Sequence, residues 1–357
     1  MREGWEYKKL NEVCDKGSSN IVINKLIDNN GDYPLYGASG LIKDIDFYHQ
    51  DKRYIGIVKD GAGVGRVNIY PAFSSLVGTM QYIFPKEGYS LDFIKYFLIK
   101  LDLSHCVSGA TIPHIYFKDY GKELIPTPSL DAQLEIVSEL DKINELIRLK
   151  KEQLKDFDNL AQSIFYEMFG EGKYLRKKLK DIVKIQSGQV SPLEEPYSEM
   201  IHIGPANIES NTGRLLNLKT AKEENLISGK YLFDSSMVLY SKIRPNLNKV
   251  TIPSFEGICS ADMYPIIPLE SIDKNFLLFL LKQKEFLTYA ISNSGRANIP
   301  KINREALLNY EAILPPLPLQ HLFAHRIEQT EHQKSEVQKA ITDLETLLAS
   351  RMQYWFE

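Results

Sequence analysis

The amino-acid sequence predicts a mixed α/β (α+β) protein in which two globular domains are separated by two long helices that form an antiparallel coiled coil. Three observations support this prediction. The last third of the chain aligns without gaps on an earlier segment at an offset of 187 residues. In both copies a proline-rich stretch precedes a long run of apolar residues spaced by four and three. Short apolar runs broken by Gly, Pro, Asn and Asp fill the remainder, as is typical of mixed domains.

The internal repeat rests on identical residues at matching positions, for example Gln133 with Gln320 at the offset of 187. The N-terminal edges also correspond, because residues 8–10 recur as residues 177–179, at an offset of 169. The second copy must therefore carry 18 additional residues inside its globular part. Two like units in one chain predict a pseudo-two-fold internal symmetry.

The repeat and the proline-rich stretches divide the chain into four segments. The predicted segments are a first domain at residues 1–130, a first helix at 131–170, a second domain at 171–319 and a second helix at 320–357. Each helix follows a hinge, at residues 126–130 and 315–319, where prolines prevent a helix or a strand ladder from continuing.

Both predicted helices carry a narrow apolar seam. The seam residues of the first helix include Ile136, Leu140, Ile143, Ile147, Leu154, Phe157 and Ile164, and those of the second include Phe323, Ile327, Val337, Ile341, Leu344 and Leu348. A seam this narrow and long is typical of a coiled coil. Since no Gly or Pro interrupts it, each helix should extend for about 50 Å. The alternative is two independent amphipathic helices, each lying on its own domain.

An antiparallel pairing of the helices would place the domains at opposite ends. Two domains held in this way would suit duplex DNA, in which half-sites recur at roughly 34–36 Å.

The net charge of −3, from 43 basic and 46 acidic residues, excludes a histone-like protein that binds through a uniform basic excess. The helical segments are acidic, so the domains together carry a small positive charge.

The cysteines and the apolar runs indicate the compartment. Three cysteines lie far apart without CxxC spacing, which predicts neither a disulfide framework nor a metal site and is typical of a reducing cytoplasm. The longest dense apolar stretch, residues 276–281, is too short to cross a bilayer. We therefore expect a cytoplasmic protein with no membrane partner and no bound metal.

Five sequence strings together resemble the specificity (S) subunit of Type I restriction-modification systems. They are residues 5–13 (WEYKKLNEV), 125–133 (IPTPSLDAQ) and the repeat of that segment at 314–320 (LPPLPLQ), with 59–65 (KDGAGVG) and 239–247 (LYSKIRPNL) inside the domains. The resemblance covers the whole chain, and the order and duplication of the strings make it specific.

This resemblance implies that the two domains are target-recognition domains, each reading one half of a split double-stranded DNA target. It implies that the helices set the spacing and dock two modification (methyltransferase) subunits, which restriction (endonuclease) subunits join. S-adenosylmethionine, ATP and Mg would then be cofactors of the partner subunits, with none in this chain.

No catalytic motif of those partner subunits occurs in the sequence. The one Pro-Pro step, at residues 315–316, lacks the Asn/Asp-Pro-Pro-aromatic context of an amino-methyltransferase, and neither a Walker A run nor a Pro-Asp dipeptide is present. The glycine run at residues 61–65 departs from GxGxxG and precedes a strand-like stretch, which favours a tight turn over a nucleotide site. We therefore expect a non-catalytic chain.

Polar and basic residues in the loops of both domains are the candidate DNA contacts. Arginine suits guanine edges, amides suit adenine edges and lysine suits phosphate. The densest group comprises Lys242, Arg244, Asn246, Asn248 and Lys249. The other candidates are Lys59 and Arg66 beside the glycine run, Ser108, Thr111 and His114 before a repeated Ile-Pro pair, and Arg296, Asn298 and Lys301 at the repeat of that segment.

Three other functions fit parts of the sequence. A recognition subunit of a Type II system, working with a combined nuclease-methyltransferase partner, would have a similar layout. A coiled-coil scaffold whose domains bind proteins would share the helices. A nucleotide-using enzyme would be centred on the glycine run.

Overall fold

The computed structural model describes residues 5–109, 111–170, 174–295 and 298–357. The chain forms two units, the first comprising Met1–Leu154 with Glu336–Glu357 and the second Lys155–Ser335. Each unit therefore combines one α/β part with part of both long helices. Within the described ranges, no helix has both the length and the apolar composition that a membrane span needs.

A four-stranded antiparallel sheet is the centre of the first unit, and its strands are, in order, Cys14–Ser18, Met80–Pro85, Tyr54–Val58 and Val67–Tyr70. The strands of this unit are β1 (Glu6–Lys9), β2 (Cys14–Ser18), β3 (Tyr33–Gly37), β4 (Gly40–Ile45), β5 (Tyr54–Val58), β6 (Val67–Tyr70), β7 (Ser75–Leu76), β8 (Met80–Pro85) and β9 (Leu124–Thr127). Its short helices are α1 (Leu10–Val13), α2 (Leu91–Leu101) and α3 (Phe117–Tyr120). The three-stranded sheet β4-β3-β7 and the pair β1-β9 complete it.

The core of the first unit follows from its apolar runs. All five residues of β5 are buried, as expected for a continuous apolar run covered on both faces. Helix α2 begins after Ser90, whose hydroxyl accepts a hydrogen bond from the Phe93 N–H. The apolar face of α2, including Phe93 and Phe97, packs into the same core as Ile55 and Ile57.

The long helices are continuous and slightly offset from the predicted positions. Helix α4 spans Leu130–Phe169. The second long helix, Leu317–Phe356, begins three residues before the predicted start. Pro318 lies in its first turn, where a proline removes no intrahelical hydrogen bond. The proline at 126 also departs from the predicted hinge, because it lies within β9, opposite Tyr7 of β1.

The second unit repeats the arrangement of the first. Its strands are β10 (Arg176–Lys178), β11 (Val183–Ile185), β12 (Gln189–Val190), β13 (Ile201–Ile203), β14 (Lys219–Thr220), β15 (Lys230–Phe233), β16 (Val238–Ser241), β17 (Val250–Thr251), β18 (Gly257–Cys259), β19 (Met263–Pro268), β20 (Ser294–Gly295), β21 (Lys301–Ile302) and β22 (Glu311–Ile313). Its helices are α5 (Lys274–Lys282), α6 (Lys284–Ser292), α7 (Arg304–Asn309) and the second long helix, α8. The sheet β11-β19-β16-β17 corresponds to β2-β8-β5-β6.

The structure accounts for the additional residues of the second copy. The offset between equivalent residues is 169 at the N-terminal edge, 183 at the start of β8 and β19, and 187 at Pro113 and Pro300. Most of the additional residues therefore lie before β19, where the second unit has the five-stranded sheet β12-β15-β18-β13-β14. The predicted repeat, with similar edges and divergent interiors, is confirmed.

Within each unit the two long helices pack through the predicted seam. Every predicted seam residue is buried or half-buried. In the first unit the Glu139 carboxylate pairs with Arg351 and accepts a hydrogen bond from Trp355, and Lys151 lies 2.7 Å from Glu345. The residue number rises from 139 to 151 along α4 while that of the partner falls from 351 to 345 along α8. The two helices are therefore antiparallel. The Arg351 guanidinium lowers the pKa of Glu139 below its ordinary value.

A buried glutamine joins the start of each long helix to the core of its unit. The Gln133 side chain accepts from the Ser90 N–H at 2.9 Å and donates to the Pro128 carbonyl at 3.0 Å. In the second unit Gln320 accepts from the Asp273 N–H at 2.9 Å and donates to the Pro315 carbonyl at 2.7 Å. Ser90 directly precedes α2, and Asp273 directly precedes α5. Each glutamine therefore joins the N-terminus of its long helix to the N-terminus of a shorter helix in the core.

We expect Gln320→Ala to destabilise the second unit by about 1–3 kcal/mol, because buried backbone groups lose their partners. Urea unfolding of the full chain measures the change. The matched control is Gln329→Ala, an exposed glutamine on the same helix, with an expected effect within about 0.5 kcal/mol. Equal effects of the two substitutions would contradict the role assigned to Gln320.

Candidate nucleic-acid interface

In the first unit, the loop after β5 lies beside two segments that are distant in sequence. The Lys59 N–H donates to the Thr79 carbonyl at 3.0 Å, and the Ile115 N–H donates to the Lys59 carbonyl at 2.9 Å. The Gly61 N–H donates to the Pro113 carbonyl, also at 2.9 Å. The candidates near residue 60 and those near residue 110 therefore form one continuous surface.

The second unit repeats these three hydrogen bonds at equivalent positions. The Lys242 N–H donates to the Asp262 carbonyl at 3.0 Å, and the Ile302 N–H donates to the Lys242 carbonyl at 3.0 Å. The Arg244 N–H donates to the Pro300 carbonyl at 2.7 Å. The loop after β16 therefore lies beside the segment around Lys301. We call these two arrangements the paired-loop surfaces of the two units.

The glycine run is the tight turn that the sequence predicted. Gly61, Gly63 and Gly65 have φ between +84° and +86°, a region that disfavours any side chain. Strand β6 follows the turn, so no helix N-terminus is available to receive a phosphate of a nucleotide. Lys59 is half-buried beside Asp60, whereas Arg66 is exposed and donates to the Ala38 carbonyl at 2.8 Å.

The segment after residue 107 supplies three further candidates in the first unit. Ser108 and His114 exchange backbone hydrogen bonds of 2.9 and 2.8 Å, which close a small loop. Thr111 is exposed within that loop, and the half-buried His114 ring lies against Tyr116 with ring centroids 4.9 Å apart. The closed loop holds the exposed side chains of Ser108 and Thr111 next to the glycine turn.

The loop after β16 divides its predicted contacts into exposed and internal side chains. Arg244 and Asn246 are exposed. Asn248 is 8% exposed and donates to the Lys282 carbonyl at 3.4 Å, and Lys249 donates to the Pro205 carbonyl at 2.7 Å. The predicted DNA contact by Asn248 does not fit this burial, because its amide faces the interior and holds the loop there.

An acidic residue that the sequence did not single out organises the lysines of this surface. The Asp262 carboxylate lies 3.3 Å from the Lys301 ammonium and 4.0 Å from that of Lys242. Burial, with the neighbouring Lys301 charge, lowers the pKa of Lys242. At the offset of 183, Asp262 is equivalent to Thr79, whose carbonyl accepts from the Lys59 N–H in the first unit. This equivalence is the signal from which the sequence could have identified Asp262. Asn298 is exposed on this surface, and Arg296 lies outside the described residues.

Comparison with known proteins identifies the family. A profile described as the Type I restriction modification DNA specificity domain matches the chain twice, over residues 2–156 and 172–346. The chain belongs to this family. The resemblance inferred from the sequence strings is thereby confirmed, and the chain contains two DNA specificity domains.

Two relatives agree with the family assignment, and a solved structure agrees with the fold. The chain is 26% identical over 386 residues to the Type I restriction enzyme EcoDI specificity subunit of Escherichia coli, covering 95% of this chain and 84% of that relative. It is 24% identical over 331 residues to the MjaVIII specificity subunit of Methanocaldococcus jannaschii, covering 81% and 76%. The crystal structure of the M. genitalium S subunit superposes with a TM-score of 0.62 at 15% identity, covering 100% of this chain and 98% of that one. The predicted mixed α/β fold is confirmed.

Proposed function

We propose that the chain reads a split double-stranded DNA target, one half-site per specificity domain, for a Type I restriction-modification complex. The observation that carries this proposal is the repeated hydrogen-bond pattern of the two paired-loop surfaces. The backbone frame is the same in both units, whereas the side chains that it presents differ. A common frame with different side chains is what two half-sites of unrelated sequence require.

The exposure of the candidates supports a division of roles among them. On the second surface we assign base contacts to Arg244 and Asn246 and phosphate contacts to Lys301 and Asn298, while Asn248 and Lys249 hold the loop. On the first surface the assigned contacts are Lys59, Arg66, Ser108, Thr111 and His114. Arg296 remains a candidate from the sequence alone.

The long helices offer surface for the partner subunits. A groove on α4 is lined by Leu134, Val137, Ser138, Asp141, Lys142, Glu145 and Leu146. Leu134 and Leu146 are about half exposed in this groove. On the other long helix, α8, Leu322 is also about half exposed. Apolar residues left exposed along a helix favour packing by other helices. We propose that two modification subunits dock on these surfaces and that restriction subunits join them.

The chemistry of the complex belongs, in this proposal, to those partners. They bind S-adenosylmethionine, ATP and Mg, and the chain itself is non-catalytic and cytoplasmic. Its domains carry only a small positive charge, so phosphate contacts of the partners would add to its affinity for DNA. DNA-binding experiments therefore use the chain together with its modification subunits.

The test of the proposed function is the methylome of the source organism with and without this chain. We expect deletion to remove methylation from one bipartite motif, and expression of the chain in trans to restore it. An unchanged methylome would contradict the proposal and would favour a protein-binding scaffold.

Insertion of seven residues into both α4 and α8 tests whether the helices set the spacing between half-sites. Seven residues preserve the four-and-three seam and add about 10 Å, or about three base pairs. We expect the methylated motif to keep both half-sites and gain a longer spacer. A four-residue insertion, which shifts the phase of the seam, is the control and should abolish methylation. Altered half-sites with an unchanged spacer would contradict this role.

A further inference from the structure

A cluster of three side chains that could bind a metal lies in the first unit, next in sequence to the loop closed by Ser108 and His114. His105, Cys106 and Glu123 each place one ligand atom within 4.8 Å of the other two. His105 and Cys106 end the short turn Leu103–Cys106, and Glu123 immediately precedes β9. The sequence analysis missed this group because Glu123 lies 17 positions after Cys106 and the group contains only one cysteine.

The hydrogen bonds of His105 orient its ring towards the cluster. Its Nδ1 lies 2.8 Å from the Asp102 carbonyl, which can only accept, so Nδ1 carries a proton. The other nitrogen, Nε2, lies 3.3 Å from a Glu123 carboxylate oxygen, to which it donates when the ring is protonated. A metal ion that replaced the Nε2 proton would lie between this nitrogen and the carboxylate, with the Cys106 sulfur beside them. A carbonyl that fixes the tautomer in this way is typical of metal-bound histidine.

The equivalent place in the second unit is closed by apolar packing. Glu123 accepts the Leu10 N–H through its carbonyl, and Tyr310 accepts the Leu179 N–H in the same way, which makes Glu123 and Tyr310 equivalent positions. The Tyr310 ring packs on Phe286 and Tyr289, with centroids 4.9 and 5.1 Å away. The first unit has a carboxylate where the second has an aromatic contact.

We propose that His105 Nε2, Cys106 Sγ and Glu123 bind one zinc ion, with water as the fourth ligand. Imidazole, thiolate and carboxylate are the ligands that zinc takes in proteins. Bond lengths of about 2.0–2.3 Å place tetrahedral ligands about 3.3–3.8 Å apart, so the cluster needs only small side-chain rotations. On binding, the Cys106 thiol and a protonated His105 Nε2 release their protons to solvent, and the sulfur and this nitrogen form bonds to the metal.

The proposed ion would clamp the base of the loop that carries Ser108, Thr111 and His114. It would join the turn before that loop to the residue before β9, closing the chain between residues 106 and 123. The binding site itself does not depend on the proposed function. The effect of the ion on DNA recognition does rest on the proposed function, because that effect would act through the candidate DNA contacts of the first unit.

Cobalt substitution in the full chain tests the site directly. We expect Co²⁺ to bind with one-to-one stoichiometry, to give thiolate charge-transfer and tetrahedral d–d absorption, and to be displaced by Zn²⁺. Cys106→Ala should abolish the thiolate band, and His105→Ala should weaken binding by at least about 10-fold. The control is His321→Gln, which removes a histidine 3.9 Å from the Asp273 carboxylate where no thiol is present, and it should change nothing.

A second measurement uses the unaltered protein, so it does not depend on the variants folding. Hydrogen exchange with Zn²⁺ or with a chelator should show added protection over residues 103–124 in the presence of zinc. No thiolate band with Co²⁺, or a band that persists in Cys106→Ala, would overturn the proposal. Loss of metal binding with an unchanged methylome would leave the proposed function in place, because the two experiments have separate readouts.

Discussion

Arg244→Ala is expected to relax base discrimination in one half-site of the methylated motif and to leave the other half-site unchanged. The side chain is exposed, while its backbone is held by the hydrogen bond to Pro300 and by the Leu247 N–H, which donates to the Arg244 carbonyl at 2.9 Å. A guanidinium presented from a fixed backbone can donate two parallel hydrogen bonds to guanine. Loss of such a contact costs about 1–3 kcal/mol, or about 5- to 150-fold in discrimination.

A conservative variant separates a base contact from a phosphate contact. Arg244→Lys retains the positive charge but loses the fork, so it should retain the salt dependence of DNA binding and lose discrimination at the same base pair. Arg214→Ala is the matched control, because Arg214 is an exposed arginine of the same unit that pairs with Glu209 at 2.9 Å. Methylome sequencing of each variant gives the half-sites. Relaxation of both half-sites by Arg244→Ala would contradict the placement of this residue.

The sequence was sufficient for features that depend on local pattern. The seam positions are buried or half-buried in the structure because the four-and-three spacing constrains which face of a helix is covered. The glycine turn between β5 and β6 was predictable because alternate glycines followed by an alternating strand admit few conformations. The repeat was predictable from identical residues such as Gln133 and Gln320, which make equivalent hydrogen bonds in the two units.

Features that depend on contacts between distant segments could not be predicted. No local pattern shows that the carbonyl of Lys59 accepts from Ile115, so the two candidate loops of the first unit were found separately. The same limit applies to Asn248, whose burial depends on the approach of Lys282. A polar residue in a loop has no sequence signal that distinguishes an internal hydrogen bond from an exposed position. Reasoning from the sequence alone could therefore place the candidate contacts in these loops but could not give the direction of each side chain.

Phe323→Ala is expected to destabilise the second unit by about 3–5 kcal/mol, the cost of deleting a fully buried phenylalanine. Phe323 is 0% exposed, and its ring lies between Phe165 of α4 and Phe279 of α5, with centroids 5.7 and 4.6 Å away. The substitution thus removes contacts between both long helices and the core of the unit in one step. Its neighbour Leu322, which is 45% exposed, provides the control, and Leu322→Ala should cost less than about 1 kcal/mol.

The two tryptophans make this expectation specific to one unit. Trp5 and Trp355 are the only tryptophans of the chain, and they stack on each other in the first unit with ring centroids 6.0 Å apart. Tryptophan fluorescence therefore follows the first unit, whereas far-ultraviolet circular dichroism follows both. In urea, Phe323→Ala should lower the midpoint of a circular-dichroism transition while the fluorescence midpoint changes little. An equal shift of both midpoints would mean that the continuous helices unfold the two units together, and no shift in either would contradict the role of Phe323 in the seam.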